Sequence, residues 1–311
     1  MRILFLGAGA TGGYFGGRLA KAGGDVTFLV RPKRRDQLMR DGIKIESPVG
    51  NMTTAVKAIT REEISGPFDA VILSSKAYDL DDAIETIQPA VGDNTLVLPL
   101  LNGMKHLETL DTAFGAQRVL GGMCQISVTL TEDGTIHHFG EIAALTLGAR
   151  FPEQKAAAAK LHNVLAKGID ARCPDDVIAA MWGKWFFIAS LASSTCLMRG
   201  TVGEINRTEK GQQFMADIVG ECVAIATANG YPPEPATLEF ARSHMRDPDS
   251  KISASMLRDI ERGSRIEAEQ IVGDIIRRGR AHNVATPLLE TAFIHLQLYE
   301  NRFSANQLVG K

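Results

Sequence analysis

An apolar run, Ile3-Leu4-Phe5-Leu6, passes directly into Gly7-Ala8-Gly9-Ala10-Thr11-Gly12 and then into a stretch of helical periodicity that lasts to about Gly23. A GxGxxG held between a strand and a helix restricts the fold more than any other part of this chain, because each glycine answers a separate steric demand. Gly7 permits the tight turn out of the strand, Gly9 lets a pyrophosphate approach the backbone, and Gly12 lets the helix lie close on the sheet. Ala10 and Thr11 then open the helix, whose first N–H groups and positive dipole end face the phosphates. An isolated GxGxxG is as easily a ligand-free turn. Here a second strand, Val26–Val30, follows the helix, and that context favours the nucleotide cradle.

Further β-rich runs at Ala70–Ser74 and Thr95–Leu101 alternate with helical stretches, the pattern of βα units around a parallel sheet. Ile43–Glu46 and Thr53–Ile59 flank Pro48-Val49-Gly50-Asn51 and are expected to form a hairpin grafted onto that sheet. Val119–Val128, Thr135–Phe139 and Ala143–Gly148 are expected to extend it antiparallel, and beyond Pro174 nearly every window is helical. The fold class is therefore α/β: a Rossmann-like, doubly wound N-terminal domain over residues 1–170 and an all-helical C-terminal domain over residues 171–311, of about five to seven helices.

Composition excludes several function classes. The 34 Lys and Arg nearly balance the 36 Asp and Glu, for a net charge of −2, so there is no basic field to draw in nucleic acid. With 45% hydrophobic residues the chain can bury a core, and no run reaches the ~20 uninterrupted apolar residues of a membrane span. Cys124, Cys173, Cys196 and Cys222 are widely separated, with no CxxC pair and no histidine at zinc spacing, so neither a disulfide framework nor a metal site is expected; a reducing cytoplasm fits.

Where an NAD site would carry a carboxylate for the ribose 2′-hydroxyl, this chain has Arg31, followed by Lys33, Arg34 and Arg35. Cationic donors suit a 2′-phosphate and favour NADPH/NADP+, the alternative being a plain basic surface loop. Open parallel sheets bind ligands at the carboxyl ends of their strands, and Lys76 and Asn102 stand just after two of them. The carboxamide of Asn102 suits positioning of nicotinamide and substrate; the bland alternatives are a solvated lysine and an Asn-Gly turn.

In the helical half, Met181–Met198 is apolar nearly all round and Lys184 is its only charge. Such a lysine must snorkel, pair or face a cavity. Glu267 shares a stripe with Ile271 and Ile275 at intervals of four in a helix expected over Ala268–His282, so its carboxylate lies on an apolar face. The alternative is a glutamate favoured by the helix dipole.

Taken in order, Gly7–Gly12, Leu29-Val30-Arg31, Ser75-Lys76-Ala77, Leu101-Asn102-Gly103-Met104, Trp182-Gly183-Lys184, Ser255–Asp259, Glu267, Arg277–His282 and Pro287 give the chain a resemblance to the ketopantoate reductases (2-dehydropantoate 2-reductases) over nearly its whole length. The resemblance implies NADPH-dependent reduction of ketopantoate to pantoate, on the route to pantothenate and coenzyme A. Position by position, it implies that Gly7, Gly9 and Gly12 hold the pyrophosphate, Arg31 meets the 2′-phosphate, and Lys76 and Asn102 line the nicotinamide end. Lys184 resembles the general acid, Glu267 the group that orients the substrate oxygen, and Ser255 a donor to the substrate carboxylate. The family pattern carries asparagines one and two turns after the lysine, whereas Ile188 and Ala192 stand here, so a more apolar 2-oxo acid is an alternative substrate. An NADP(H)-sensing regulator is the alternative of another class, against which Lys184 and Glu267 argue. A small 2-oxo acid is thus the expected partner, with no nucleic acid and no membrane, and the helical half leaves room for a homodimer.

Overall fold

The computed structural model describes Met1–Val309. Contacts divide the chain into two compact units: Met1–Leu101 with His106–Ile178, and Asn102–Lys105 with the residues from Ala179 onward. The second unit thus includes a short segment from the middle of the first.

The first unit holds a parallel sheet of β1 (Arg2–Leu6), β2 (Asp25–Leu29), β5 (Lys57–Ile59), β6 (Ala70–Leu73) and β7 (Leu96–Pro99), in the order β5-β2-β1-β6-β7. The chain steps outward from β1 to one side and later returns to pair β6 on the other. The order therefore reverses at β1, and the crevice beyond the carboxyl ends at such a reversal is the ligand position of open α/β sheets. Burial on both faces explains the unbroken apolar runs: Ile3, Leu4 and Phe5 are inaccessible, and every residue of β6 and β7 is buried. The helix α1 (Ala10–Lys21) turns a row of glycines to the sheet, and Gly16 lies so close that a Cβ there would be 2.6 Å from the Phe28 ring.

A second sheet joins β10 (Asp170–Arg172), β9 (Thr135–Gly148), β3 (Ile43–Glu46) and β4 (Met52–Thr54), with β8 (Gly121–Leu130) antiparallel to β9. This corrects two expectations. Residues 53–59 are split: β4 makes the hairpin with β3 in this sheet, while β5 crosses to β2. Residues 119–148 likewise do not extend the first sheet, and their strand pairing to it is confined to a bridge between Val97 and Val119. The physical reason lies in the alternation. Ile43 and Ile45 are buried while Lys44 and Glu46 are exposed, a one-faced pattern suited to an outer sheet and not to a strand covered on both sides. The two runs after Thr135 are one strand continuing through Gly140 (φ +76°), opposite a register shift at Ile126/Ser127, as a β-bulge requires.

In the second unit follow α6 (Val177–Met198, whose first two residues belong to the first unit), α7 (Val202–Asn206), α8 (Gly211–Ala228), α9 (Pro235–Arg246), α10 (Ser255–Glu261), α11 (Asp274–Ala281) and α12 (Pro287–Val309). Among the described residues α6 is the one helix long and apolar enough to cross a membrane by length and composition, and 61% of its apolar window is buried within the protein. The expected Ala268–His282 helix opens with a π-helical turn, Glu269–Gly273, so a strict four-residue stripe does not run through it. Trp185, on α6, is 1% exposed, packs on Trp182 with ring centroids 4.8 Å apart, and donates Nε1–H to the Ile271 carbonyl of the π turn at 2.9 Å. Trp185→Phe removes that donor from a buried carbonyl and is expected to destabilise the protein by about 2 kcal/mol, measured as a lower urea midpoint at unchanged m.

Candidate active site

The rim of the first unit is built by the loop leaving β1. Gly7 takes φ +87° and donates its N–H to the Leu29 carbonyl at 2.9 Å, which turns the chain sharply at the strand end. A side chain at Gly12 would run into the Gly7 carbonyl at 2.7 Å and into the Ser74 hydroxyl, so helix, loop and β6 come together only around a hydrogen atom. At Gly9 a Cβ would meet nothing within 4 Å; the loop is open there, and no side chain caps the helix. Ala10 and Thr11, both half-buried, begin α1, so their N–H groups remain for an anion. An open backbone at Gly9, uncapped N–H groups and a switch point at β1 fit a dinucleotide pyrophosphate.

The basic run after β2 separates into two roles. Arg34 is half-buried and donates to the Ala8 carbonyl from Nε at 3.3 Å and Nη2 at 3.0 Å, and to the Gly134 carbonyl at 3.4–3.5 Å. Burial pushes its pKa down. Gln37, one turn on, donates to the Asp133 carbonyl at 2.7 Å, and Arg35 pairs with Glu63 at 2.8 Å. Arg31 and Lys33 are exposed, and no hydrogen bond or ion pair among the described residues occupies the Arg31 guanidinium. Arg34 follows Arg31 closely in sequence, but its guanidinium braces the glycine loop. Lys76 is half-buried two residues beyond the Ser74 hydroxyl, which donates to the Leu6 carbonyl at 3.2 Å, and it opens the turn Ala77–Asp79.

The second unit gathers Asn102 and Lys184. Lys184, half-buried in the first turns of α6, donates from Nζ to Asn102 Oδ1 at 2.8 Å. Gln270 Nε2 donates to the Asn102 main-chain carbonyl at 2.7 Å. Next in sequence, Gly103 takes φ +74° and packs against the Gln270 backbone carbonyl so tightly that no Cβ fits. Glu267 is 8% exposed, directly ahead of the π turn, whereas Ser255 is exposed at the start of α10. Lys105 Nζ pairs with Glu269 at 3.0 Å, and Glu269 also pairs with Arg277. Burial works to raise the Glu269 carboxyl, but Arg277 and Lys105 together hold it below 4.5. Stability from this pairing is present above the ordinary glutamate range and is lost as pH falls through the lowered value. Sequence patterning could not expose Gln270 or Glu269, since both sit in a π turn that carries no residue signature.

The wall of α6 beyond Lys184 is sparing in polar groups. Ile188 is half-buried and Ala192 is 2% exposed. Of the serines that could stand in for the asparagine amides, Ser190 donates to the Phe186 carbonyl at 2.7 Å and Ser194 to the Ser190 carbonyl at 2.8 Å, both within their own helix, whereas the Ser193 hydroxyl is buried with no hydrogen-bond partner among the described residues. Among the described residues no group of three or more His, Cys, Asp or Glu side chains is arranged to hold a metal ion.

Residues 3–150 match the family model of ketopantoate reductase PanE/ApbA, and residues 176–300 that of the ketopantoate reductase PanE/ApbA C terminal. An uncharacterised oxidoreductase of Bacillus subtilis (strain 168), YkpB, is 36% identical over 96% of this chain and 99% of its own. The crystal structure of 2-dehydropantoate 2-reductase from Geobacter metallireducens GS-15 is similar at a TM-score of 0.87 and 28% identity, covering 96% of this chain and 99% of that one. A ternary structure of D-mandelate dehydrogenase with NADH and anilino(oxo)acetate shares the fold at a TM-score of 0.86 and 24% identity, over 98% and 100% of the two chains.

Since Arg34 braces the loop and not one particular nucleotide, Arg34→Met is expected to weaken NADPH and NADH binding alike, each by about tenfold, in a fluorescence titration.

Proposed function

Because the chain belongs to the ketopantoate reductase PanE/ApbA family and is an oxidoreductase of it, we propose that it reduces a 2-oxo acid to the 2-hydroxy acid with NADPH, the reaction being 2-dehydropantoate to pantoate in the supply of pantothenate and coenzyme A. The observation that carries this is the Lys184 ammonium held at 2.8 Å from the neutral Asn102 carboxamide. The chemistry NADPH would supply when bound is a hydride for the carbonyl carbon. Lys184 delivers a proton from Nζ to the carbonyl oxygen as negative charge develops there, and the resulting amine regains its proton from solvent. Asn102 accepts an N–H of Lys184 through its neutral Oδ1 and so fixes where the ammonium points. Glu267 orients the substrate oxygen from its buried position, and the Ser255 hydroxyl donates to the substrate carboxylate.

NADPH over NADH is supported by the unengaged Arg31 with Lys33 exposed beside it, a cationic pair suited to a 2′-phosphate. Lys76 attends the nicotinamide end. A second reading, a more apolar 2-oxo acid, is favoured by Ile188 and Ala192 on the stripe of Lys184 and by the bonding of the Ser190 and Ser194 hydroxyls to their own helix. A hydroxyl without buried partners gains little in such a pocket, so discrimination against analogues lacking it falls.

NADPH consumption with 2-dehydropantoate and a panel of unsubstituted 2-oxo acids separates the two: highest kcat/KM on 2-dehydropantoate supports the first, and on an apolar analogue the second. Lys184→Ala is expected to lower kcat by about 100-fold or more while NADPH still binds; full turnover by this variant would refute the general-acid role. Arg31→Ala is expected to raise the Kd for NADPH about tenfold and to leave that for NADH nearly unchanged, as read by calorimetry.

A further inference from the structure

Three consecutive residues of the π turn grip the surroundings of Lys184. Glu269 accepts from Lys105 at 3.0 Å, Gln270 donates to the Asn102 carbonyl at 2.7 Å, and the Ile271 carbonyl accepts from Trp185, the residue after Lys184, at 2.9 Å. An α-helical turn spreads successive residues around its axis by a fixed step; a π turn fits one more residue into the turn, and such turns recur at functional sites. Gln270 acts twice here. Its side chain, 6% exposed, holds the Asn102 carbonyl, and its own carbonyl abuts Gly103. The Asn102-Gly103 peptide is thereby gripped on either side, and the carboxamide that faces Lys184 branches from this fixed main chain.

We propose that Gln270 is a positioning residue for proton delivery: by holding the Asn102 main chain it keeps the Asn102 carboxamide, and through it the Lys184 ammonium, aimed at the substrate oxygen. This rests on the general-acid reading of Lys184. Proton transfer is intolerant of displacement, and a misplacement of about 1 Å costs on the order of 100-fold in rate. Binding of dinucleotide by the glycine loop does not depend on Gln270.

Gln270→Met keeps the length and volume of the side chain and Gln270→Glu keeps its shape, while both delete the donor to Asn102. In the full-length protein each is expected to lower kcat by about tenfold to 100-fold, with the KM for the 2-oxo acid and the Kd for NADPH within about threefold of the parent. The solvent deuterium isotope effect on kcat should rise as proton delivery becomes the slower step. Added to Lys184→Ala, Gln270→Met should cost nothing more, because the group it aims is already gone. Parental kcat in both variants would overturn the proposal. So would a fall in kcat with an unchanged isotope effect that repeats in the Lys184→Ala background, or loss of folded ellipticity in both variants, since each marks a purely structural role. Retained turnover in Lys184→Ala alone is a different failure, that of the general-acid reading itself.

Discussion

An ammonium set in an otherwise apolar helix must reach water or find an acceptor, and an acceptor fixed in front of it also decides where it points. In this protein Asn102 Oδ1 is such an acceptor, 2.8 Å from Lys184 Nζ. The demand for a fixed acceptor accounts for features otherwise hard to explain: a left-handed glycine beside Asn102, a wide turn at Glu269–Gly273, and a buried tryptophan that anchors α6 to that turn. A carboxamide is neutral and does not itself offset the positive charge. A carboxylate at the same place would offset that charge, which the proposed proton donor needs.

The first unit meets the opposite requirement, a place for negative charge. Backbone N–H groups can meet a pyrophosphate only where side chains do not stand in the way, and the loop is open at Gly9. A backbone exposed in this way has few contacts of its own. Arg34 supplies the rigidity from behind through the Ala8 carbonyl, which leaves Arg31 and Lys33 to face outward.

What could be read from sequence follows from how local each determinant is. The glycine loop was legible because its constraints act within six residues, and Lys184 because a single charge in an apolar segment is conspicuous without any knowledge of its partner. The parallel sheet was legible from its unbroken apolar runs. The second sheet was not: alternation in Ile43–Glu46 reveals one buried face but not which layer covers it, and the break between β4 and β5 falls inside one continuous β-forming stretch. Gln270 and the division of labour between Arg31 and Arg34 were hidden for a related reason. Both depend on carbonyls distant in sequence, and every residue offers a carbonyl.

The brace on the glycine loop has an evolutionary corollary. Arg34 and Gln37 also hold the carbonyls of Gly134 and Asp133 at the tip of the β8–β9 hairpin. Hairpin tips are ordinarily where a lineage accepts insertions and deletions most freely. Here a change of length between Thr131 and Gly134 would release the guanidinium that steadies the glycine loop, so the length of this turn is tied to the shape of a loop remote from it in sequence.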